Sequence, residues 1–296
     1  MTQFWQLLFE GFSLGCVYAL IALAFTVIYR SSGVINFAQG AMLLAGAYVI
    51  SWLTVNEGVP FFGAVAIAIV ALALSGVAFQ LLLLRRVATQ RPIFAVVMIT
   101  IGLGTALTSG VDAVFGSSTR VLGDPWGSTA LHAAGLVFDW VKLWAIVFVA
   151  VVLAAFYVLD RHSRYGLAMR ATASDEEAAL AVGIPVARVQ ALTWAIAGSL
   201  AVLAGLFLSG YPSSPNPSLG ESALTAFPAI ILGGLGSPVG AVVGGILIGL
   251  IEVLAQGYDP SWLGNNFYEI APYIVMIGVL LAKPYGLFGV RPAERL

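Results

Sequence analysis

Charged side chains are scarce in this sequence of 296 residues, and their scarcity excludes most classes of soluble protein. Asp, Glu, Lys and Arg together make up 9% of the chain, whereas 60% of the residues are hydrophobic and the mean hydropathy is +0.99. A soluble domain carries about a quarter charged residues. Apolar runs here repeatedly reach the roughly 20 residues that a helix needs to cross hydrocarbon. The composition therefore predicts an all-α polytopic membrane protein.

Several chemical constellations are also missing. The only cysteine, Cys16, lies in the first apolar run, so no disulfide or thiol-metal site can form within one chain. The two histidines, His132 and His162, fall on opposite sides of the predicted membrane topology and cannot share a metal. The net charge of −1 gives no basic field for nucleic acid. No zinc-protease or nucleotide-binding P-loop motif is found. We therefore expect a protein that is not an enzyme, with no catalytic or metal site and no cofactor, so that any ATP it uses is bound by another chain.

Nine apolar segments predict about eight transmembrane helices and one broken or re-entrant segment, all in a single domain over residues 1–296. These segments run over residues 7–29, 38–54, 62–84, 93–115, 142–159, 191–210, 223–233, 239–256 and 267–282. Basic residues mark the cytoplasmic side. With the N-terminus outside and the C-terminus inside, every Lys and Arg except Arg120 and Lys142 lies inside. The inside set is Arg30, Arg85, Arg86, Arg91, Arg161, Arg164, Arg170, Arg188, Lys283, Arg291 and Arg295.

Two polar, glycine-rich breaks interrupt the apolar segments, one at residues 31–40 and the other at residues 233–238. Broken helices in lipid are tolerated where the freed backbone groups face protein or a water-filled cavity, so both breaks are candidates for lining a translocation pathway. The alternative is that they are tight turns at the cytoplasmic surface. Each break is followed by a short helix and a further span, which suggests an internal repeat in parallel orientation. The pathway candidates are Gly33, Asn36, Phe37, Gln39, Gly40, Gly233, Gly234, Gly236, Ser237 and Pro238.

The longest hydrophilic interruption, residues 160–190, predicts a cytoplasmic loop that contains a short helix. Ser174 and Glu177 form a plausible capping box, an alanine-rich stretch follows, and Gly183 with Pro185 just beyond it ends the helix. Such a helix presents a smooth face that can enter a groove on a partner protein. The alternative is a solvated amphipathic connector.

Glu252 is an ionisable residue within an apolar segment, and intramembrane carboxylates are functional candidates by default. It lies about one turn from the predicted outer end of its helix, with Gln256 four residues further on. We therefore expect its side chain to reach the membrane interface in a structural role.

Four blocks of the sequence resemble the permease subunits of bacterial ABC importers for branched-chain, or hydrophobic, amino acids. The resemblance spans nearly the whole chain in the expected order, and the length suits the shorter, H-type permease. At Gln39 the chain departs from the histidine that is more frequent in the family, which leaves the ligand open. The blocks are Glu177-Ala178-Ala179 followed after three residues by Gly183, GVINFAQGAMLLAGAYV at 33–49, AFPAIILGGLGSPVGAVVGGILIGLIE at 226–252 and KPYGLFG at 283–289.

The resemblance implies an import subunit of the bacterial inner membrane that works with other chains. These would be a second, homologous permease, two cytoplasmic ATPases that bind the ATP, and an extracytoplasmic binding protein that delivers leucine, isoleucine, valine or a related small molecule. The loop helix would enter a groove of the ATPase. A permease or passive channel for urea or short amides is the alternative function. The implied coupling residues are Glu177, Ala178, Ala179 and Gly183, with supporting contacts from Arg164, Arg170 and Arg188.

Overall fold

The structure, a computed structural model, describes residues 2–84, 93–122, 130–133, 136–210, 214–258 and 266–289. These ranges fold into helices and one small sheet. The elements in chain order are α1 (Thr2–Ser32), α2 (Gln39–Val55), α3 (Phe61–Phe79), α4 (Ile93–Phe115), β1 (Ala130–Ala133), β2 (Leu136–Asp139), α5 (Trp140–His162), α6 (Arg164–Ser174), α7 (Glu176–Ala181), α8 (Val186–Leu208), α9 (Leu219–Thr225), α10 (Phe227–Gly233), α11 (Pro238–Gly257) and α12 (Phe267–Ala282).

The described helices have the lengths expected of a polytopic membrane protein. Six of them are long and apolar enough to cross a bilayer: α1, α4, α5, α8, α11, and α3 together with its π-helical continuation Gln80–Leu84. Three shorter apolar helical stretches are α2, the α9–α10 pair and α12. The predicted fold class of an all-α polytopic membrane protein is confirmed.

Helices α1 and α8 form the centre of the bundle. Of the most apolar 18 residues of each helix, 89% are buried in α1 and 72% in α8, but only 11% in α4 and 22% in α5. Glycines allow the central helices to approach their neighbours closely. A Cβ atom at Gly249 of α11 would collide with the backbone of Gly15 in α1, and one at Gly76 of α3 would lie 2.6 Å from the Trp194 carbonyl oxygen in α8.

The elements meet at two opposite ends of the bundle. At the first, which we call the loop end, Arg30 of α1 pairs with Asp160 of α5, and the Gln80 side chain bonds that of Gln190. At the second, the hairpin end, Tyr48 of α2 donates to the Ser118 carbonyl. Among the described residues, segments that were predicted to lie on the same side of the membrane are therefore found at the same end of the bundle. The predicted basic clusters at 85–91 and 291–295 lie outside the described residues.

The helix contacts show that the two halves of the chain have corresponding helices that run in opposite directions through the bundle. Helix α1 packs antiparallel to α11, because Gly11 lies against Leu250 and Gly15 against Ile246. Helix α8 packs antiparallel to α3 in the same way, through Gly198 and Leu72 and through Trp194 and Gly76. Helix α1 ends near the start of α8, where Gln190 donates to the Ser31 carbonyl. This arrangement pairs α1 with α8, α2 with α9–α10, α3 with α11 and α4 with α12, and it corrects the parallel repeat expected from the sequence.

A small β-hairpin was not predicted. Strands β1 and β2 pair antiparallel with Ala130 opposite Asp139, in a region that the sequence suggested was a turn-rich loop. The hairpin is fixed to the first helix, because Gln6 exchanges hydrogen bonds of 2.8 and 3.0 Å with the backbone of Val137. Phe9 packs edge-on against Phe138 with ring centroids 4.8 Å apart. These distant contacts, which no local pattern encodes, stabilise four-residue strands.

Candidate functional site

The short helix α7 in the polar loop is capped at both ends. Asp175 accepts hydrogen bonds of 3.0 Å from the backbone N–H groups of Glu177 and Ala178, so it is the N-cap. The predicted cap, Ser174, is instead the last residue of α6. Asp175 takes its place because an aspartate satisfies the same free N–H groups and places a negative charge at the helix N-terminus.

Gly183 ends α7 as predicted. Its φ of 86° is in the left-handed region. The Ile184 N–H bonds the Ala179 carbonyl, and the Gly183 N–H bonds the Leu180 carbonyl, both at 3.0 Å. This pair of bonds is a Schellman motif, which satisfies carbonyl groups left free at the helix end and favours glycine at the left-handed position. The six-residue helix Glu176–Ala181 therefore has fixed limits on both sides.

One side of α7 is buried and the other is uncovered. Ala179 packs inward at 3% exposure, whereas Glu177, Ala178 and Gly183 are exposed. Beside them, apolar side chains face outward: Leu180 is 54% exposed and Val182 78% exposed. A compact helix with an exposed apolar face has the character of a contact surface for another protein.

Helix α6 ties the loop to the membrane helices. Asp160 Oδ1 lies 3.2 Å from Arg30 Nη1 of α1 and 3.7 Å from Arg170 Nη1 of α6. The Tyr165 hydroxyl lies 2.8 Å from the Thr193 hydroxyl and donates to the Val189 carbonyl, both in α8. Burial raises the pKa of Tyr165 to about 12, so its hydroxyl keeps its proton at neutral pH. These contacts connect α6 to α1, α5 and α8.

The three arginines of the loop occupy different environments. Arg164 and Arg188 are exposed, in agreement with a role in contacts outside the chain. Arg170 is instead engaged internally, because its guanidinium also bonds the Asp160 carbonyl. The structure thus gives Arg170 an anchoring position between α6 and α5.

At the first break, the predicted pathway residues Asn36 and Gln39 are buried and bonded to one another. Asn36 Oδ1 accepts from the Ala38 N–H at 3.0 Å, and Asn36 Nδ2 donates to Gln39 Oε1 at 3.2 Å. Gln39 Nε2 donates to the Ala197 carbonyl at 3.3 Å. Ala197 is in the middle of α8. Helix α2 therefore begins deep in the bundle, which argues against the alternative of a turn at the surface.

The other predicted residues of this break have packing roles. Gly33, with φ 68°, ends α1 and is exposed. The Phe37 N–H bonds the Thr100 hydroxyl of α4 at 3.4 Å. Gly40 lies against Gly220 of α9, and a Cβ at Gly40 would collide with the Gly220 carbonyl. The break thus joins α2 to α4, α8 and α9.

The second break, at the loop end, is a tight turn between α10 and α11. Gly234 has φ 100°, and Ser237 caps α11 by accepting from the Gly240 N–H at 3.0 Å. Gly233 packs directly on Gly240, while Gly236 is exposed with open space around it. Pro238 lines a cavity of about 520 Å³ together with Arg30, Asp160 and Arg170. This turn therefore lies beside the charged anchor of the loop.

A larger cavity, of about 640 Å³, lies towards the hairpin end, and no sequence motif marked it. Residues 214–222 beside it return into the bundle, since Gly220 reaches Gly40. Glu252 faces this cavity and accepts a 2.9 Å hydrogen bond from the Tyr18 hydroxyl, so it does not simply reach the interface. The polar residues that line the cavity are Tyr18, Ser214, Asn216, Ser218, Ser222, Thr225, Glu252, Tyr268, Glu269 and Tyr273.

Comparison with known families shows to which family the chain belongs. The family model described as "Branched-chain amino acid transport system / permease component" matches residues 7–280. The chain belongs to this family. It is a multi-pass membrane permease, and the resemblance to branched-chain amino acid permeases is confirmed.

Two curated relatives align over nearly all of the chain, and a third aligns over less than half of it. The high-affinity branched-chain amino acid transport system permease protein LivH of Salmonella typhimurium is 32% identical, over 99% of this chain and 98% of its own length. The corresponding protein BraD of Pseudomonas aeruginosa is 28% identical, over 98% and 97%. The ribose import permease RbsC of Bacillus subtilis is 35% identical, over 43% of this chain and 41% of its own. No solved structure matches.

Proposed function

We propose that this permease is the membrane-spanning subunit of an ATP-driven importer for branched-chain or related hydrophobic amino acids, and that separate ATPase subunits act on it through α7. The loop end would then face the cytoplasm of a bacterial cell, with the C-terminus on the same side. A second permease would complete the membrane unit, and an extracytoplasmic binding protein would deliver the substrate. ATP would be bound by the partner subunits, since the sequence has no P-loop.

The observation that carries this proposal is the rigid, doubly capped α7 with its exposed apolar face. A flexible connector would transmit little force, whereas a helix fixed by Asp175 and Gly183 moves as a unit. Its neighbour α6 is held to α1 and α5 by the Asp160 ion pairs and to α8 by Tyr165. Displacement of α7 would therefore pass into the two central helices. ATP can shift the state of the permease only if the ATPases bind its two conformations with different affinity.

Gly183→Val tests this coupling. A side chain in the left-handed region costs roughly 1–2 kcal/mol, so the end of α7 should reorient. We expect ATP-driven leucine uptake by proteoliposomes that contain the complete importer to be lost, while membrane insertion and folding of the chain persist. The matched control is Gly58→Val, because Gly58 has a similar φ of 65° and open surroundings but lies in the loop between α2 and α3.

Two results would contradict the proposal. One is normal uptake by the Gly183→Val protein together with normal retention of the ATPases during purification. The other is rapid flux of urea or a short amide through vesicles that contain this chain alone, which would indicate a passive channel.

A further inference from the structure

The cavity towards the hairpin end has the size of a small-molecule site. It lies between α1, α9, α11 and α12, and the chain at residues 214–218 closes one side. Its volume of about 640 Å³ is within the range of known ligand pockets, roughly 300–1,000 Å³. Both apolar and polar groups line it, which is typical of sites that orient a small ligand.

The charged side chains among the described residues that line this cavity are all acidic. Glu252 and Glu269 contribute carboxylates, and no lysine, arginine or histidine is among the described residues that line it. One oxygen of Glu252 accepts the Tyr18 hydroxyl at 2.9 Å, and Tyr18 is itself 3% exposed and supported by the Thr225 hydroxyl at 2.9 Å. The half-buried carboxylate is therefore held in position by a buried donor. A carboxylate in such surroundings attracts an ammonium group more strongly than it attracts a neutral solute.

The same cavity carries the complementary groups. Asn216 and Ser222 offer amide and hydroxyl donors, which can bond a carboxylate, while Ser218 supports Asn216 by donating to its Oδ1 at 2.6 Å. Apolar surface is supplied by Leu14, Leu208, Leu219 and Ile270. Carboxylate acceptors, neutral donors and aliphatic side chains in one cavity match the ammonium, carboxylate and side chain of an aliphatic amino acid.

We infer that this cavity binds an aliphatic amino acid as its zwitterion, and that Glu252 receives the α-ammonium group. The inference rests on the proposed function for the choice of ligand, and it gives the permease itself a selective site. Urea and short amides, which carry no ammonium group, would gain little from Glu252.

Equilibrium binding to the purified full chain in nanodiscs tests this site without the ATPases. Radiolabelled leucine is the probe, with two competitors that each lack one of its charged groups. We expect 3-methylbutylamine, which keeps the ammonium, to displace leucine and 4-methylpentanoate, which lacks it, to fail. Glu252→Gln should weaken leucine binding about tenfold or more, because a hydrogen bond to a charged group is lost. The glutamine can still accept from Tyr18, so the fold should persist.

Two control variants distinguish a specific loss of binding at this site from a general effect of substitution on the chain. Glu57→Gln, at an exposed position in the loop after α2, should bind leucine as the unmodified chain does. Tyr18→Phe keeps the carboxylate charge and should weaken binding less than Glu252→Gln. Equal competition by 4-methylpentanoate and leucine, unchanged binding by Glu252→Gln, or no leucine binding by the folded chain would each overturn the inference. Failure of the Gly183→Val test would leave these binding results standing, so the two proposals can fail separately.

Discussion

Single residues decide how the non-helical stretches remain inside the bundle. Backbone groups without a helical partner are costly in an apolar environment unless something bonds them. Asn36 bonds the N–H of Ala38 within its own turn, and Gln39 bridges from Asn36 to the Ala197 carbonyl. These two amides act as internal supports of the break. A sequence shows that these side chains are polar, but it does not reveal which partners they find.

Gln39→Leu removes this bridge while keeping a side chain of similar size. The Asn36 amide and the Ala197 carbonyl would lose a partner inside the bundle, and hydrogen bonds between membrane helices contribute up to about 1.7 kcal/mol. We expect the free energy of unfolding to fall by about 1–2 kcal/mol. Denaturant titration of the chain in mixed micelles would measure it. Gln3→Leu is the control, because Gln3 is exposed in α1, and an equal loss in both variants would contradict this role.

At the scale of helices, glycines determine which pairs pack closely. Helix α1 meets α11 through Gly11, Gly15, Gly245 and Gly249, and backbone touches backbone there. Some glycines have no such neighbour: a Cβ at Gly102 in α4 would meet no atom within 4 Å. Replacing a glycine by a larger residue is therefore expected to destabilise the bundle in one helix and to be tolerated in another.

Gly249→Val should strongly destabilise the bundle, whereas Gly102→Val should not. The valine in α11 would collide with the backbone of Gly15, which cannot move aside as a flexible side chain does. Overpacking costs typically about 1–3 kcal/mol, and more where the obstacle is rigid. Thermal unfolding of the two purified variants would show the contrast. Similar melting temperatures for both would mean that α1 and α11 do not pack as described.

The helical elements were more predictable than their arrangement. Apolar runs marked the spans, and the glycine and proline at 233–238 marked the α10–α11 turn, because these signals are local. The predicted cap, Ser174, is one residue from the observed cap, Asp175, because serine and aspartate satisfy the same N–H groups. The hairpin depends on Gln6 and Phe9, more than a hundred residues away in sequence. The depth at which α2 and α9 begin depends on contacts with α8 and with each other. Non-local contacts of this kind leave no periodic signal.

At the scale of the whole molecule, the two halves meet at corresponding points. Asn36 and Gly40 open α2, and Asn216 and Gly220 open α9 with the same spacing of four residues. Gly40 and Gly220 lie against one another, each nearest to the other's carbonyl. The helices that follow lead away from this contact, α2 towards the hairpin end and α9–α10 towards the loop end. The junction therefore joins the two halves of the chain, and Ser218 and Ser222 close to it also line the cavity towards the hairpin end.

The junction is asymmetric, and this asymmetry allows a sharp prediction. A Cβ at Gly40 would collide with the Gly220 carbonyl, whereas a Cβ at Gly220 would lie 3.3 Å from the Gly40 carbonyl oxygen, which a small shift can accommodate. Alanine also favours helix over glycine by about 1 kcal/mol, which offsets such a shift. We therefore expect Gly220→Ala to leave the unfolding free energy nearly unchanged and Gly40→Ala to lower it by about 1–3 kcal/mol. Denaturant titration of both variants under the same conditions measures the difference. If both alanines proved equally tolerated, the two halves could not be in backbone contact here.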